Sequence, residues 1–131
     1  MTVVLDAWAV LALLTAEPGG DHVASEMADS ERPDRPVMSW VSLGQVLHVL
    51  IARRGLSEAE ETVHDLLGEL TVELPTEAVV RQAAEIAARH RIGYVPAFAA
   101  ATAIAYDGEL WTGDPELLVP GARWRTRDLR E

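Results

Sequence analysis

Two aspartates stand where carboxylates could do chemistry. Asp6 directly follows the short apolar run Val3-Val4-Leu5, and Asp114 follows Leu110-Trp111 by the turn Thr112-Gly113. If both runs are neighbouring strands of a parallel sheet, the two carboxylates converge at its carboxyl edge, where open sheets of this kind bind ligands. Carboxylates held together raise each other's pKa unless a cation sits between them. Oxygen ligands with few or no histidines favour Mg²⁺ or Mn²⁺, and such an ion can polarise a phosphodiester and activate a water. A plainer reading covers the same residues. Asp6 can cap a helix beginning at Ala7, and Asp114-Pro115-Glu116 has the order of a helix start. The two readings are compatible, because a carboxylate has two oxygens.

Other side chains carry weaker signals. Glu116 could reach the same cleft as a further acid, although an acid in a first helical turn also suits the helix dipole. Asp107 and Glu109 lie at the start of their strand and so at its wrong end. His48, one helical turn past Gln45, could face the cleft or simply pack. Ser39 and Ser42 read as caps or turn residues, since no His-Asp pair accompanies them. Arg53 and Arg54 end a helix and favour its dipole there. Arg123, Arg125 and Arg127 alternate along a possible strand, with Arg130 beyond. They could contact RNA phosphates or protect an exposed edge strand by charge. Trp8 and Trp111 flank the two aspartates and could stack on a base; core packing is their default role.

The elements that must position these residues follow from pattern. Strands are predicted at Val3–Leu5, Val37–Met38, Val72–Leu74, Glu109–Trp111 and Ala122–Arg127. Helices are predicted from Ala7 to Ala16 (apolar nearly all round), from Asp21 to Ser30, and from a Ser39 cap to Arg54, where Leu43, Val46, Leu47, Leu50 and Ile51 keep helical spacing. Gly55 stops that helix. Ser57 and Glu60 predict a capping box opening the next, which runs to about Leu70. Further helices are predicted from Pro75-Thr76-Glu77 to His90, from Ala97 to Tyr106 with Pro96 in the first turn, and briefly after Asp114. Short apolar strands alternating with helices imply a three-layer α/β/α domain with a short-stranded parallel sheet. No repeat or linker divides residues 1–131, so one domain is expected.

Bulk composition narrows the classes. With 131 residues, 49% apolar and 24% charged, the chain is ordinary for a globular protein and long enough to bury a core. It has no cysteine, which excludes disulfides and thiolate sites and suits a reducing cytosol. The opening MTVVLDAWAV lacks a basic region and argues against a secretory signal, and no stretch is apolar for long enough to span a bilayer. A cytoplasmic location is expected. The net charge is −10, and every basic residue is arginine. Such a chain is a poor general binder of nucleic acid, so an RNA substrate would need bound cations or a focused arginine cluster. The same acidity suits a cationic protein partner.

Three segments carry a family resemblance. VVLDAWAVLALLTAEPGG resembles the opening of PIN domains of the VapC toxin group, MSWVSLGQVLHVLIARRG their third-helix region, and GYVPAFAAATAIAYDGELWTGDPEL their closing catalytic stretch. The order and spacing of all three strengthen the match. The resemblance implies a metal-dependent endoribonuclease that cuts single-stranded RNA, with four acids around one or two Mg²⁺ or Mn²⁺ ions, usually a homodimer neutralised by an antitoxin protein. Asp6 matches the first acid and Asp114 the last, with Thr112 matching the hydroxyl residue two positions earlier. The second acid falls on Gln45, which keeps a carbonyl oxygen but no charge. The third falls on Pro96, which offers no ligand. Two acids lost halve the formal charge of the site, and each carboxylate–ion contact is worth kcal/mol even at an effective dielectric of about 20. Weak metal binding is therefore expected, with Asp6 and Asp114 as ligands and Gln45 as a neutral ligand or water-positioner. The alternative is a catalytically degenerate module that binds RNA or a protein partner without cleaving; a third is a structural subunit paired with an active homologue.

Overall fold

A computed structural model of the chain describes residues 1–29 and 31–131. Five short parallel strands form the sheet: β1 (Val3–Leu5), β2 (Val37–Ser39), β3 (Thr71–Glu73), β4 (Glu109–Thr112) and β5 (Arg125–Asp128), in the order β3-β2-β1-β4-β5. Parallel strands need crossovers, and helices supply all but the last, from β4 to β5, which is made of turns. α1 (Ala7–Leu14) and α2 (Gly20–Ala28) join β1 to β2. α3 (Trp40–Arg54) and α4 (Leu56–Leu67) join β2 to β3. α5 (Glu77–His90) and α6 (Tyr94–Ala105) join β3 to β4. The winding direction reverses between β1 and β4, which opens a crevice beyond their carboxyl ends.

Strand alternation sends side chains to two cores. Val3, Leu5, Met38 and Trp111 face α1 to α4, while Val4, Val37 and Leu110 face α5 and α6. This is the predicted α/β/α layering. Fully buried residues such as Leu5, Leu43, Leu50 and Ile86 each contribute about 1.5–3 kcal/mol by leaving water. α6 is buried over the whole run from Ala97 to Ala103, where five alanines allow close packing around Phe98 and Thr102. No helix among the described residues is long and apolar enough to cross a membrane.

Several boundaries differ from the sequence-based expectation. α1 ends at Leu14, two residues early, and the end predicted for α2 at Ser30 lies outside the described residues. The predicted Ser57–Glu60 capping box is not formed. Gly55, at φ +84°, both ends α3 and serves as the N-cap of α4, so Ser57 is already inside the helix. α6 begins at Tyr94 rather than Ala97, which makes Pro96 its third residue. A proline is tolerated there because the first turn has no intrahelical acceptor for its missing N–H. The segment after Asp114 is a turn rather than a helix, closed by the Leu117 N–H on the Asp114 carbonyl at 3.0 Å. β5 starts at Arg125, so Arg123 lies outside the strand.

Candidate functional site

The sheet register explains the meeting of the two aspartates. Val3 pairs with Glu109, Val4 with Leu110 and Leu5 with Trp111. One step on, Asp6 and Thr112 lie side by side. Asp6 is the N-cap of α1: its Oδ1 accepts the Ala9 N–H at 2.8 Å, while its Oδ2 accepts a short hydrogen bond from the Thr112 hydroxyl. Thr112 Oγ1 in turn accepts the Asp114 N–H at 2.9 Å, and Asp114 Oδ1 accepts the Glu116 N–H at 2.9 Å. Glu116 Oε1 then accepts the Gly93 N–H at 3.0 Å. A single chain of hydrogen bonds thus runs from the start of α1, through the end of β4, to the start of α6.

Asp6 and Asp114 line one cleft of about 280 Å³, together with Trp8, Ser42, Gln45 and Pro96. Asp6 is 4% exposed. Burial is the main cause that lifts its pKa from 3.8 to about 7; the hydrogen bonds from Thr112 and Ala9 oppose the rise, and the charge of nearby Asp114 adds to it. Without a counter-cation Asp6 therefore holds its proton across much of the acidic range. Both of its oxygens already accept hydrogen bonds, as does one oxygen of half-buried Asp114. Among the described residues no group of three or more His, Asp or Glu could hold a metal ion. The oxygen donors lining the cleft are the Asp6 and Asp114 carboxylates and the Gln45 side-chain carbonyl, hard ligands of the kind Mg²⁺ takes.

The residues singled out by sequence divide as follows. Asp6, Gln45, Pro96 and Asp114 come together in the cleft; Thr112 does not line it but bonds to the Asp6 carboxylate and to the Asp114 backbone N–H. Glu116 does not line the cleft, because its carboxylate is turned to the start of α6. His48 is exposed on α3 and does not line it either. Ser39 caps α3 through the Val41 N–H at 3.2 Å, as expected of it. Base stacking by Trp111 is ruled out: it is 4% exposed and covered by the Arg127 guanidinium, 4.4 Å from the ring centre. The three-arginine array on a strand is also corrected. Arg123 pairs with Glu85 at 3.7 Å and Arg125 with Asp107 at 3.3 Å, in different directions.

Sequence reasoning missed the Glu116–Gly93 contact. Its one signal was local: Gly93 has no side chain with which to cap α6, and Pro96 occupies the position from which a Glu or Gln would complete a capping box. It also missed a second depression of about 380 Å³ that shares Trp8 and Leu11 with the cleft and includes Arg53 and Arg130. No linear pattern joins those residues, since they come from α1, α3 and the terminal segment.

Comparison with known proteins agrees with this architecture. No curated protein sequence matches the chain. Among solved structures the fold is similar to that of VapBC-1 from nontypeable Haemophilus influenzae, at 17% identity and TM-score 0.80 over all of both chains. It is similar to DNA-bound VapBC from Salmonella typhimurium, at 13% identity and TM-score 0.75 over 98% of each. It is also similar to VapC20 of Mycobacterium tuberculosis, a toxin that cleaves the sarcin-ricin loop, at 20% identity and TM-score 0.72 over 92% of this chain and 96% of that one. The family model for the PIN domain matches residues 3–120, and the chain belongs to the PIN domain family.

Proposed function

We propose that this chain is a VapC-like toxin, an endoribonuclease that cuts single-stranded RNA with one hydrated Mg²⁺ or Mn²⁺ and with reduced activity. The observation that carries the reading is the convergence of Asp6 and Asp114, 108 positions apart in sequence, on one cleft at the β1/β4 crevice. Asp6 and Asp114 would hold the ion, with the Gln45 carbonyl oxygen as a neutral ligand or water-positioner. When bound, the ion supplies charge stabilisation on the phosphodiester and a more acidic water. The protein's own part is positional. Thr112 holds the Asp6 carboxylate and the Asp114 backbone, the Glu116 N–H holds the Asp114 carboxylate, and the Ala9 N–H fixes the second oxygen of Asp6. Pro96 replaces an acid of the resemblance and lines the cleft without adding charge. Purified protein with Mn²⁺ should cut single-stranded RNA, and Asp114→Asn should abolish cutting. Cleavage that persists in that variant and in chelator would sink the reading.

The resemblance to toxins of antitoxin-paired systems supports two further expectations: a cationic antitoxin partner, which the net charge of −10 suits, and a homodimer in the cytoplasm. A second reading is favoured by the absence of any three-acid group among the described residues. In it the chain is a degenerate module that binds RNA or a protein without cleaving. Restoring acids with Gln45→Glu and Pro96→Asp should then create Mn²⁺ binding, by calorimetry, that the native chain lacks. Equal binding by native and restored chains would remove the motive for this second reading.

A further inference from the structure

We infer that the cleft continues into a nucleotide-binding groove, in which Trp8 stacks on one base of single-stranded RNA and Arg53 holds a neighbouring phosphate. The inference rests on the nuclease reading for its substrate class and adds where that substrate lies. Trp8 is half-buried and lines both depressions, so it forms the wall between the carboxylate cleft and the neighbouring pocket of about 380 Å³. One face of its six-membered ring rests on the backbone of Gly113, between Thr112 and Asp114, so closely that a Cβ at that position would overlap it, and the indole also packs against the core on the α1–α4 side; the base is assigned to the opposite face. A rigid aromatic surface beside a phosphodiester-cleaving site suits a base, because stacking needs no particular sequence.

The cation beside it is available. Arg53 is exposed in the last turn of α3 and has no carboxylate partner among the described residues. The other arginines nearby are engaged. Arg54 donates to the Leu14 carbonyl at 3.3 Å, and Arg130 forms a forked pair with Asp128 at 3.0 and 2.8 Å. One acid, Glu17, also lines the pocket and limits it to few phosphates. In a chain of net charge −10, one free guanidinium beside an aromatic wall marks where a backbone phosphate is tolerated. Trp111, the other tryptophan near the strand ends, is covered and cannot compete.

The test reads binding in chelator, so that it does not depend on cleavage. Fluorescein-labelled hexauridylate and an abasic ribose-phosphate hexamer are titrated by polarisation, and intrinsic tryptophan emission is followed with unlabelled hexamer. The native chain should bind hexauridylate with quenching. Trp8→Phe should keep affinity within about threefold but lose the quenching, and Trp8→Ala should weaken binding about ten- to a hundredfold. The abasic hexamer should bind weakly and ignore Trp8→Ala. Arg53→Ala should lower the slope of log affinity against log salt by about 0.7. Undiminished binding by Trp8→Ala, equal losses with the abasic hexamer, or no quenching even at millimolar hexamer overturns the inference. So does Trp8-dependent quenching by an arginine-bearing peptide and not by RNA, which would make the groove a protein-docking site. RNA cleavage with Trp8-independent binding would sink this inference alone; Trp8-dependent binding without cleavage would sink the nuclease reading alone.

Discussion

At the scale of the residue, Asp6 is the group whose state controls the site. It serves as a helix cap and as half of a carboxylate pair, and burial holds its pKa near 7. Its folded pKa lies above its unfolded value of 3.8, so the folded state binds more protons between the two. The contribution of Asp6 to stability is therefore fully present below about pH 4 and is lost as pH rises through 7. In metal-free protein, Asp6→Asn should change stability little near pH 4 and should increase it relative to the native chain by a few kcal/mol at pH 8, since no charge is then buried. Urea unfolding of both proteins across that range checks this; a native chain that gains on the variant as pH rises would contradict it. Both aspartates were legible in sequence because each stands just past an apolar run. The role of Thr112 was half legible. Its spacing from Asp114 was visible, but its bond to Asp6 depends on the β1/β4 register, which no local pattern encodes.

At the scale of the element, the site depends on three chain ends locked together: the start of α1, the end of β4 and the start of α6. Glu116 closes the lock by accepting the Gly93 N–H. Glu116→Ala should cost about 1 kcal/mol, the usual value of a lost helix cap, whereas Glu116→Gln keeps an acceptor and should cost much less; urea midpoints of the two separate a cap from a mere surface charge. Gly113→Ala should cost about 1–3 kcal/mol by overpacking against Trp8, with a changed near-ultraviolet tryptophan signal. A fully native signal would show that the ring is free to move. Strand positions were legible to within a residue or two except for β5, because short β-branched runs between helices have few other readings. The capping box at Ser57 misled because Gly55, with its positive φ, could end one helix and begin the next in a single residue. The helix predicted after Asp114 had the right opening residues, yet the chain from Asp114 closes only isolated turns on its way to β5.

At the scale of the whole molecule, the question is how a chain of net charge −10 could hold RNA at all. The sequence pointed to the terminal arginines as the one basic concentration. In the fold they are spent: Arg123 on Glu85, Arg125 on Asp107, Arg130 on Asp128, and Arg127 over Trp111. Exposed ion pairs are individually weak, but each sets a carboxylate beside the guanidinium, which lowers its pull on a phosphate. Under the nuclease reading, few phosphates can then be neutralised, and affinity should depend only mildly on ionic strength. Each neutralised phosphate on a single strand contributes about 0.7 to the slope of log affinity against log salt. A groove served by Arg53 alone should give a slope of about 1 or less in magnitude. Engagement of all four terminal arginines would bring it near 3. The paired variant Arg125→Ala/Arg127→Ala should accordingly leave RNA affinity within about twofold and the slope unchanged. A slope near 3 that collapses in that variant would place the RNA along β5 instead of at the β1/β4 crevice.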